Sequence, residues 1–179
     1  GVAGINAARM AAGLGADVTI LDVDMERMRF LDVTLHTAHT LYSNEEHLLG
    51  LLPNVDILIG AVLLPGAKAP KLIRREMLRL MRPGSVVVDI AIDQGGCVET
   101  SRPTTHLDPV FTEEKIQHYC VANMPGAVPK TSTFALNHAT LPYVLRLANL
   151  RVHTALTVDP PSREGLNIIA GSVTETAVT

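Results

Sequence analysis

The sequence is poor in aromatic side chains and in long apolar runs. Phe, Tyr and Trp together make up 3% of its 179 residues, whereas the hydrophobic fraction is 47%. An aliphatic core with few aromatics is typical of a parallel sheet that helices cover on both faces. The longest apolar run, Ile57 to Leu64, is far too short to span a bilayer. These features predict an α/β domain without a membrane-spanning segment.

Charge and cysteine are also scarce. The formal net charge is −3 with no basic cluster, which argues against nucleic acid and anionic membranes as partners. The two cysteines, Cys97 and Cys120, are too few for a disulfide framework or a zinc site. The seven histidines lack metal-ligand spacing, so we expect no metal site. We interpret the cysteines as reduced thiols and expect a cytoplasmic protein.

The chain has no initiator methionine, signal peptide or leading strand. It begins at Gly1, and its first methionine, Met10, falls inside a predicted helix. We therefore expect a fragment of a longer protein.

The first residues match the end of a dinucleotide-binding fingerprint. Gly1 and Gly4 have the spacing of the last two glycines in G-x-G-x-x-G. The first of these two glycines lets the backbone approach a pyrophosphate. The second lets the following helix, predicted over 5–14, pack closely on the sheet. Asp22 closes the next predicted strand, about 20 residues on, where the fingerprint has its ribose-binding acid. NAD binding is the favoured interpretation; the alternative is that Asp22 is an ordinary strand-end cap.

A central stretch, residues 86–97, predicts where chemistry occurs. It starts as a β-branched run suited to a buried strand and stops on Asp93, Gly95 and Gly96. Ligands bind at the carboxyl ends of strands in open α/β sheets, so Asp93 is placed at a reaction site.

Other elements complete the predicted organisation. Strands are predicted over 17–21, 39–42, 55–60 and 117–121, and helices over 24–31, 45–52, 74–81 and 131–150. The turn at 125–129 separates a nucleotide-binding domain, 1–129, from a helical segment, 130–179. This segment is too short to be a domain alone, so we expect it to pack on another part of the protein.

Three motifs resemble alanine dehydrogenase. They are VDIAIDQGGC followed by ETSRPTT from Val88, IGAVL followed by PGAKAPK from Ile59, and YCVANMP from Tyr119. The likeness runs from Gly1 to about Gly171. The nicotinamide-binding subunit of proton-translocating transhydrogenase shares the fold and is the alternative. A non-catalytic NAD-binding module is a third hypothesis.

The resemblance implies a Rossmann-type doubly wound parallel sheet whose first strand is missing, which leaves the strands ending at Asp22 and Gly60 with unpaired inner edges. It also implies reversible oxidative deamination of L-alanine to pyruvate and ammonia by a homo-hexamer, with NAD as hydride acceptor. The family's magnesium ligands are replaced here by Arg146 and Leu150, so no metal is carried over. The family's substrate-binding arginine and lysine and its catalytic histidine come from an N-terminal domain that this chain lacks.

The resemblance assigns site residues by position. Asp93 is the catalytic residue at the nicotinamide. The implied NAD-binding residues are Gly1, Val2 and Gly4 at the pyrophosphate, Asp22 and Arg27 at the ribose, Ser43, Val62 and Leu63 on the adenine side, Ile90, Ala91, Ile92 and Asp93 along the nicotinamide strand, and Arg102, Val121, Ala122, Asn123 and Met124 completing the site.

The isolated chain is predicted not to oxidise alanine, because it lacks the groups that hold the substrate carboxylate. An assay of NAD reduction with alanine measures this, with protein from the complete reading frame as the positive control. Alanine-dependent NAD reduction by the isolated chain would contradict this prediction.

Overall fold

The computed structural model describes residues 1–64 and 66–174; Pro65 and residues 175–179 of the predicted C-terminal segment lie outside it. It divides into two compact units. The first contains residues 1–64 and 68–122, and the second contains residues 123–174 with Gly66 and Ala67. The predicted boundary after residue 129 stays a prediction. Within the described part of the chain, no helix is both long and apolar enough to cross a membrane.

The first unit alternates helices and strands, as the sequence predicts for an α/β fold. Its helices are α1 (Val2–Gly13), α2 (Met25–Thr34), α3 (Glu45–Leu51) and α4 (Arg75–Leu78). Its strands are β1 (Val18–Asp22), β2 (Ala38–Tyr42), β3 (Ile57–Gly60), β4 (Val86–Asp89), β5 (Val110–Glu113) and β6 (Ile116–Tyr119).

This unit contains a parallel two-stranded sheet and a mixed four-stranded sheet. β1 pairs with β2, and a second sheet has the order β3-β4-β6-β5, in which only the β5–β6 pair is antiparallel. Among the described residues, β1 and β3 therefore each keep one edge without a partner strand. This is the pattern expected of a sheet interrupted between Asp22 and Gly60.

The core of the first unit lies around β4. Val87 and Asp89, two positions apart and hence on one face of the strand, are both fully buried. Leu78 of α4 and Ile116 of β6 are also fully buried, and they cluster with Val87. A carboxylate thus occupies a core position of the central strand.

Two predicted elements differ from the structure, and one strand was not predicted. The central strand ends at Asp89 rather than Asp93, because the Asp89 side chain accepts a hydrogen bond from the Ala91 amide and starts a 3-10 turn, Ile90–Gln94. The helix predicted over 74–81 is only the short α4. Strand β5 was not predicted, because its alternating pattern is short and half-buried.

The second unit is mostly helical. It begins with a 3-10 turn, Met124–Ala127, followed by α5 (Pro129–Leu150), which runs through Pro142 without interruption. Two short helices, α6 (Val152–Val158) and α7 (Pro160–Glu164), and a hairpin, β7 (Ile168–Ile169) and β8 (Ser172–Val173), complete it.

His118 joins the β5–β6 hairpin to the core of the first unit. It is fully buried, its Nε2 lies 2.8 Å from the Thr100 hydroxyl, and its Nδ1 lies 3.0 Å from the Ile116 carbonyl oxygen. Phe111, directly opposite on β5, stacks on it at 4.9 Å between ring centroids. Burial lowers the pKa of His118 by disfavouring the imidazolium.

The lowered pKa of His118 makes stability depend on pH. Below the unfolded value of about 6.5, the unfolded state binds the proton more readily than the folded state. The free energy of unfolding is therefore expected to be highest above that pH and to fall as the pH decreases towards the folded pKa. Urea denaturation between pH 5 and 8 should show a shallower dependence for His118→Gln. The control, His39→Gln, changes an exposed histidine and should keep the pH dependence of the wild-type protein. If His118→Gln also kept that pH dependence, His118 would not be its source.

Candidate functional site

The N-terminus of α1 presents free backbone amides. The helix opens with a bond of 3.2 Å from the Ile5 amide to the Gly1 carbonyl, so the amides of residues 2–4 have no acceptor within the helix. A Cβ placed on Gly4 would lie 3.4 Å from the Ala61 Cβ, just beyond the end of β3. Glycine therefore lets α1 pack closely at this strand end. Amides at a helix N-terminus are suited to binding a phosphate.

Asp22 and Ser43 meet where β1 and β2 end. The Ser43 amide donates to the Asp22 carbonyl oxygen at 2.9 Å. The Asp22 carboxylate accepts the amides of Val23 and Asp24 through Oδ1, at 2.8 and 3.1 Å. These bonds fix the carboxylate in a local turn and leave Oδ2 outside that turn.

A cavity of about 280 Å³ opens beside these strand ends. Arg74 and Glu45 form one wall through a bidentate pair, at 2.7 and 3.3 Å, and this pair lowers the pKa of Glu45. Ser43 lines the cavity as predicted for the adenine side, but Val62 and Leu63 are not among its lining residues. The full lining is Val23, Ser43, Asn44, Glu45, Leu48, Lys71, Leu72, Arg74 and Met77.

Asp93 lies in the 3-10 turn that follows β4. Its side chain is exposed, whereas Ala91 and Ile92 are 6% and 3% exposed. The strand predicted over Ile90–Ile92 is wrong, because this segment is a 3-10 turn. Its contribution to an NAD site stays a prediction. Of residues 91–93, only Asp93 has an exposed side chain.

The turn is held from within by Asp89. Its carboxylate accepts the amides of Cys97 and Val98 and the hydroxyl of Ser101, at 2.9, 3.1 and 2.6 Å. Burial, together with the charge of Asp89, raises the pKa of the Cys97 thiol to about 12, so this cysteine is an unreactive thiol. Asp89 lies within the sequence motif but was not predicted to have a role. The signal that could have identified it is an acidic residue within an otherwise apolar strand.

Two predicted arginines rest on aromatic rings. The Arg102 guanidinium carbon lies 4.1 Å from the Phe111 ring centroid, and that of Arg27 lies 5.7 Å from the Phe30 centroid. Phe111 is itself stacked on His118, so Arg102 continues a stack anchored in the core. Sequence reasoning missed Phe111 because it missed β5.

The last predicted cofactor residues fall on both sides of the division between the units. Val121 is fully buried, and the Ala122 amide donates to the Thr104 carbonyl oxygen at 3.2 Å. Asn123, in the second unit, has a left-handed backbone (φ 56°) and precedes the turn that begins at Met124.

Residues 1–64 and 66–174 contain no group of three or more His, Cys, Asp or Glu side chains that could hold a metal ion. Arg146, which the resemblance places where some family members have a magnesium ligand, pairs with Asp159 at 2.7 Å.

The fold and these strand-end groups define a Rossmann-like α/β domain. The family model described as "Alanine dehydrogenase/PNT, C-terminal domain" matches residues 1–176. The chain belongs to this family.

Individual relatives agree with the family assignment. Alanine dehydrogenases of Halomonas elongata and Bacillus subtilis are 53% and 52% identical to it over 99% of the chain. An L-alanine dehydrogenase structure superposes with a TM-score of 0.86 at 47% identity, covering 99% of this chain and 49% of that one. A transhydrogenase structure from Sinorhizobium meliloti gives 0.66 at 31% identity, covering 75% of this chain and 38% of that one. The chain spans about half the length of the curated relatives, 48% of each of the two named.

The two glycines after Asp93 should differ in their tolerance of alanine. Both have left-handed backbones, with φ of 91° and 77° at Gly95 and Gly96. A Cβ on Gly95 would meet nothing within 4 Å, whereas one on Gly96 would lie 2.7 Å from Asp89 Oδ2 and 3.0 Å from the Ser101 Cβ. Gly95→Ala should cost about 1–2 kcal/mol of stability from backbone strain alone. Gly96→Ala should cost a further ~1–3 kcal/mol from overpacking.

Urea denaturation of protein from the complete reading frame measures the free energy of unfolding of both variants. Equal losses of stability in Gly95→Ala and Gly96→Ala would show that the space around Asp89 does not constrain the turn.

Proposed function

We propose that the protein containing this chain catalyses the reversible, NAD-dependent oxidative deamination of L-alanine to pyruvate and ammonia, and that this chain forms its cofactor-binding half. The observation that carries the proposal is the exposed Asp93 side chain, which lies on a turn hydrogen-bonded to the buried Asp89. The chain that carries it is 53% identical to an alanine dehydrogenase over 99% of its length.

The described residues fit NAD in three places. The α1 amides suit a pyrophosphate, and the missing side chain at Gly4 lets α1 pack closely against Ala61 at the end of β3. The Asp22 carboxylate has an oxygen available for a ribose hydroxyl, and no arginine follows it immediately, which favours NAD over NADP. The cavity beside Ser43 suits an adenine ring, with Leu72 and Met77 as apolar walls.

In the mechanism, bound NAD supplies the hydride acceptor. The chain's own residues would hold it: the α1 amides and Asp22 would bind the dinucleotide, and Arg102, whose guanidinium lies over the Phe111 ring, would provide a positive charge. The exposed Asp93 carboxylate would act as a proton acceptor. We assign the groups that clamp the substrate carboxylate to the part of the protein outside this chain, because the family resemblance places them there.

The proposal also includes a homo-hexamer, a cytoplasmic location and a domain boundary after residue 129. Cys97 and Cys120 are free and buried, which is compatible with a reducing compartment. A transhydrogenase subunit is the second candidate, supported by a likeness that covers 75% of the chain. It is the weaker candidate because both the identity and the coverage are lower.

Asp93→Asn in protein from the complete reading frame is expected to lower kcat for alanine oxidation about 10²–10⁴-fold, the usual contribution of an acid–base group. NAD affinity, measured by titration calorimetry, should change little because Asp93 acts on the reacting atoms. The control, Asp108→Asn, removes another exposed carboxylate and should leave kcat unchanged. A wild-type protein that oxidises no alanine, or a kcat for Asp93→Asn within a few-fold of wild type, would contradict the proposal.

A further inference from the structure

Asp89 is a buried carboxylate whose hydrogen bonds all come from the segment that carries Asp93. It is fully buried at the end of β4. Its Oδ1 accepts the Ala91 amide at 3.1 Å, and its Oδ2 accepts the Cys97 and Val98 amides at 2.9 and 3.1 Å. The Ser101 hydroxyl adds a fourth bond, at 2.6 Å to Oδ2. A single side chain thus connects both ends of the 91–101 segment to the central strand.

The space around the carboxylate leaves no room for a side chain at Gly60 or Gly96. A Cβ on Gly60 would lie 3.2 Å from Asp89 Oδ1 and would overlap Cys97 Sγ. A Cβ on Gly96 would lie 2.7 Å from Oδ2. The two glycines on opposite sides therefore let the turn close around Asp89.

Lys71 forms hydrogen bonds with the outer side of the same turn. Its ammonium donates to the carbonyl oxygens of Gly95 and Val98, at 2.6 and 3.1 Å. The Ala69 amide donates to the Gln94 carbonyl oxygen at 2.9 Å. Three amides of the 91–101 segment are therefore bonded to Asp89, and three of its carbonyl oxygens accept bonds from the 69–71 segment.

We propose that Asp89 is a positioning residue for the reaction, which fixes the 91–101 segment so that Asp93 is held in its reactive place. Asp89 does not itself touch the reacting groups, because it is fully buried and both of its oxygens are engaged. Its effect on turnover rests on the proposed function, whereas its effect on the turn can be measured without any activity.

The sharpest test removes one donor and compares this change with removal of the hydroxyl of a second serine, Ser85, which directly precedes β4. Ser101→Ala deletes the hydroxyl bonded to Asp89. Ser85→Ala deletes another hydroxyl, at the opposite end of β4, whose bond of 3.2 Å goes to the Val55 carbonyl oxygen. Both are made in protein from the complete reading frame and assayed well below the melting temperature. The readouts are amide exchange of residues 90–101, kcat for alanine oxidation and Kd for NAD.

Ser101→Ala is expected to accelerate exchange of the Cys97 and Val98 amides about tenfold, and to lower kcat by roughly tenfold through misplacement of Asp93. The Kd for NAD should stay within about twofold, because most of the binding groups lie elsewhere. Ser85→Ala should leave exchange of the turn and kcat unchanged. Asp89→Asn, which turns an NH2 group towards amide donors, should show the same changes more strongly if it folds.

The outcomes separate the two proposals. Equal effects of Ser101→Ala and Ser85→Ala on exchange or on kcat would overturn the role of Asp89. So would a changed Kd with an unchanged kcat. If the wild-type protein oxidises no alanine, the proposed function fails, and the exchange data alone decide whether Asp89 holds the turn.

Discussion

The buried carboxylate of Asp89 is the interaction on which the site depends. A buried carboxylate is stable in a core only when donors surround it, and here the donors are three backbone amides, one hydroxyl and the Cys97 thiol. Because the amides belong to the turn after β4, the electrostatic requirement of one side chain dictates the path of the chain around Asp93. The glycines at 60 and 96 follow from the same requirement, since any side chain there would enter the space of the carboxylate.

The remaining candidate groups are also fixed by local bonds rather than by a ligand. Asp22 is oriented by two amides of its own turn, and Arg102 by a stack that reaches through Phe111 to the buried His118. Preorganised groups of this kind bind a ligand without having to be ordered by it. The strand ends of the two sheets therefore present a rigid set of polar groups.

Much of the fold could be predicted from the sequence, because β-branched runs and turn signals mark buried strands well. The strands β1 to β4 and β6, the long α5 and the placement of Asp93 on the carboxyl side of the sheet all followed from such patterns. The strand β5 and the end of β4 did not. A four-residue strand carries little periodic signal, and Ile90–Ile92 are apolar enough to extend a strand until Asp89 caps the turn. The stack under Arg102 and the cavity wall at Leu72 depend on tertiary contacts that no local pattern records.

A crystal structure of the protein from the complete reading frame with NAD bound tests the account most directly. We expect the pyrophosphate on the α1 amides, a ribose hydroxyl on Asp22 and the nicotinamide beside Asp93, with the hydrogen bonds to the Asp89 carboxylate unchanged. A nicotinamide bound away from Asp93, or a turn that rearranges around Asp89 when NAD binds, would contradict it.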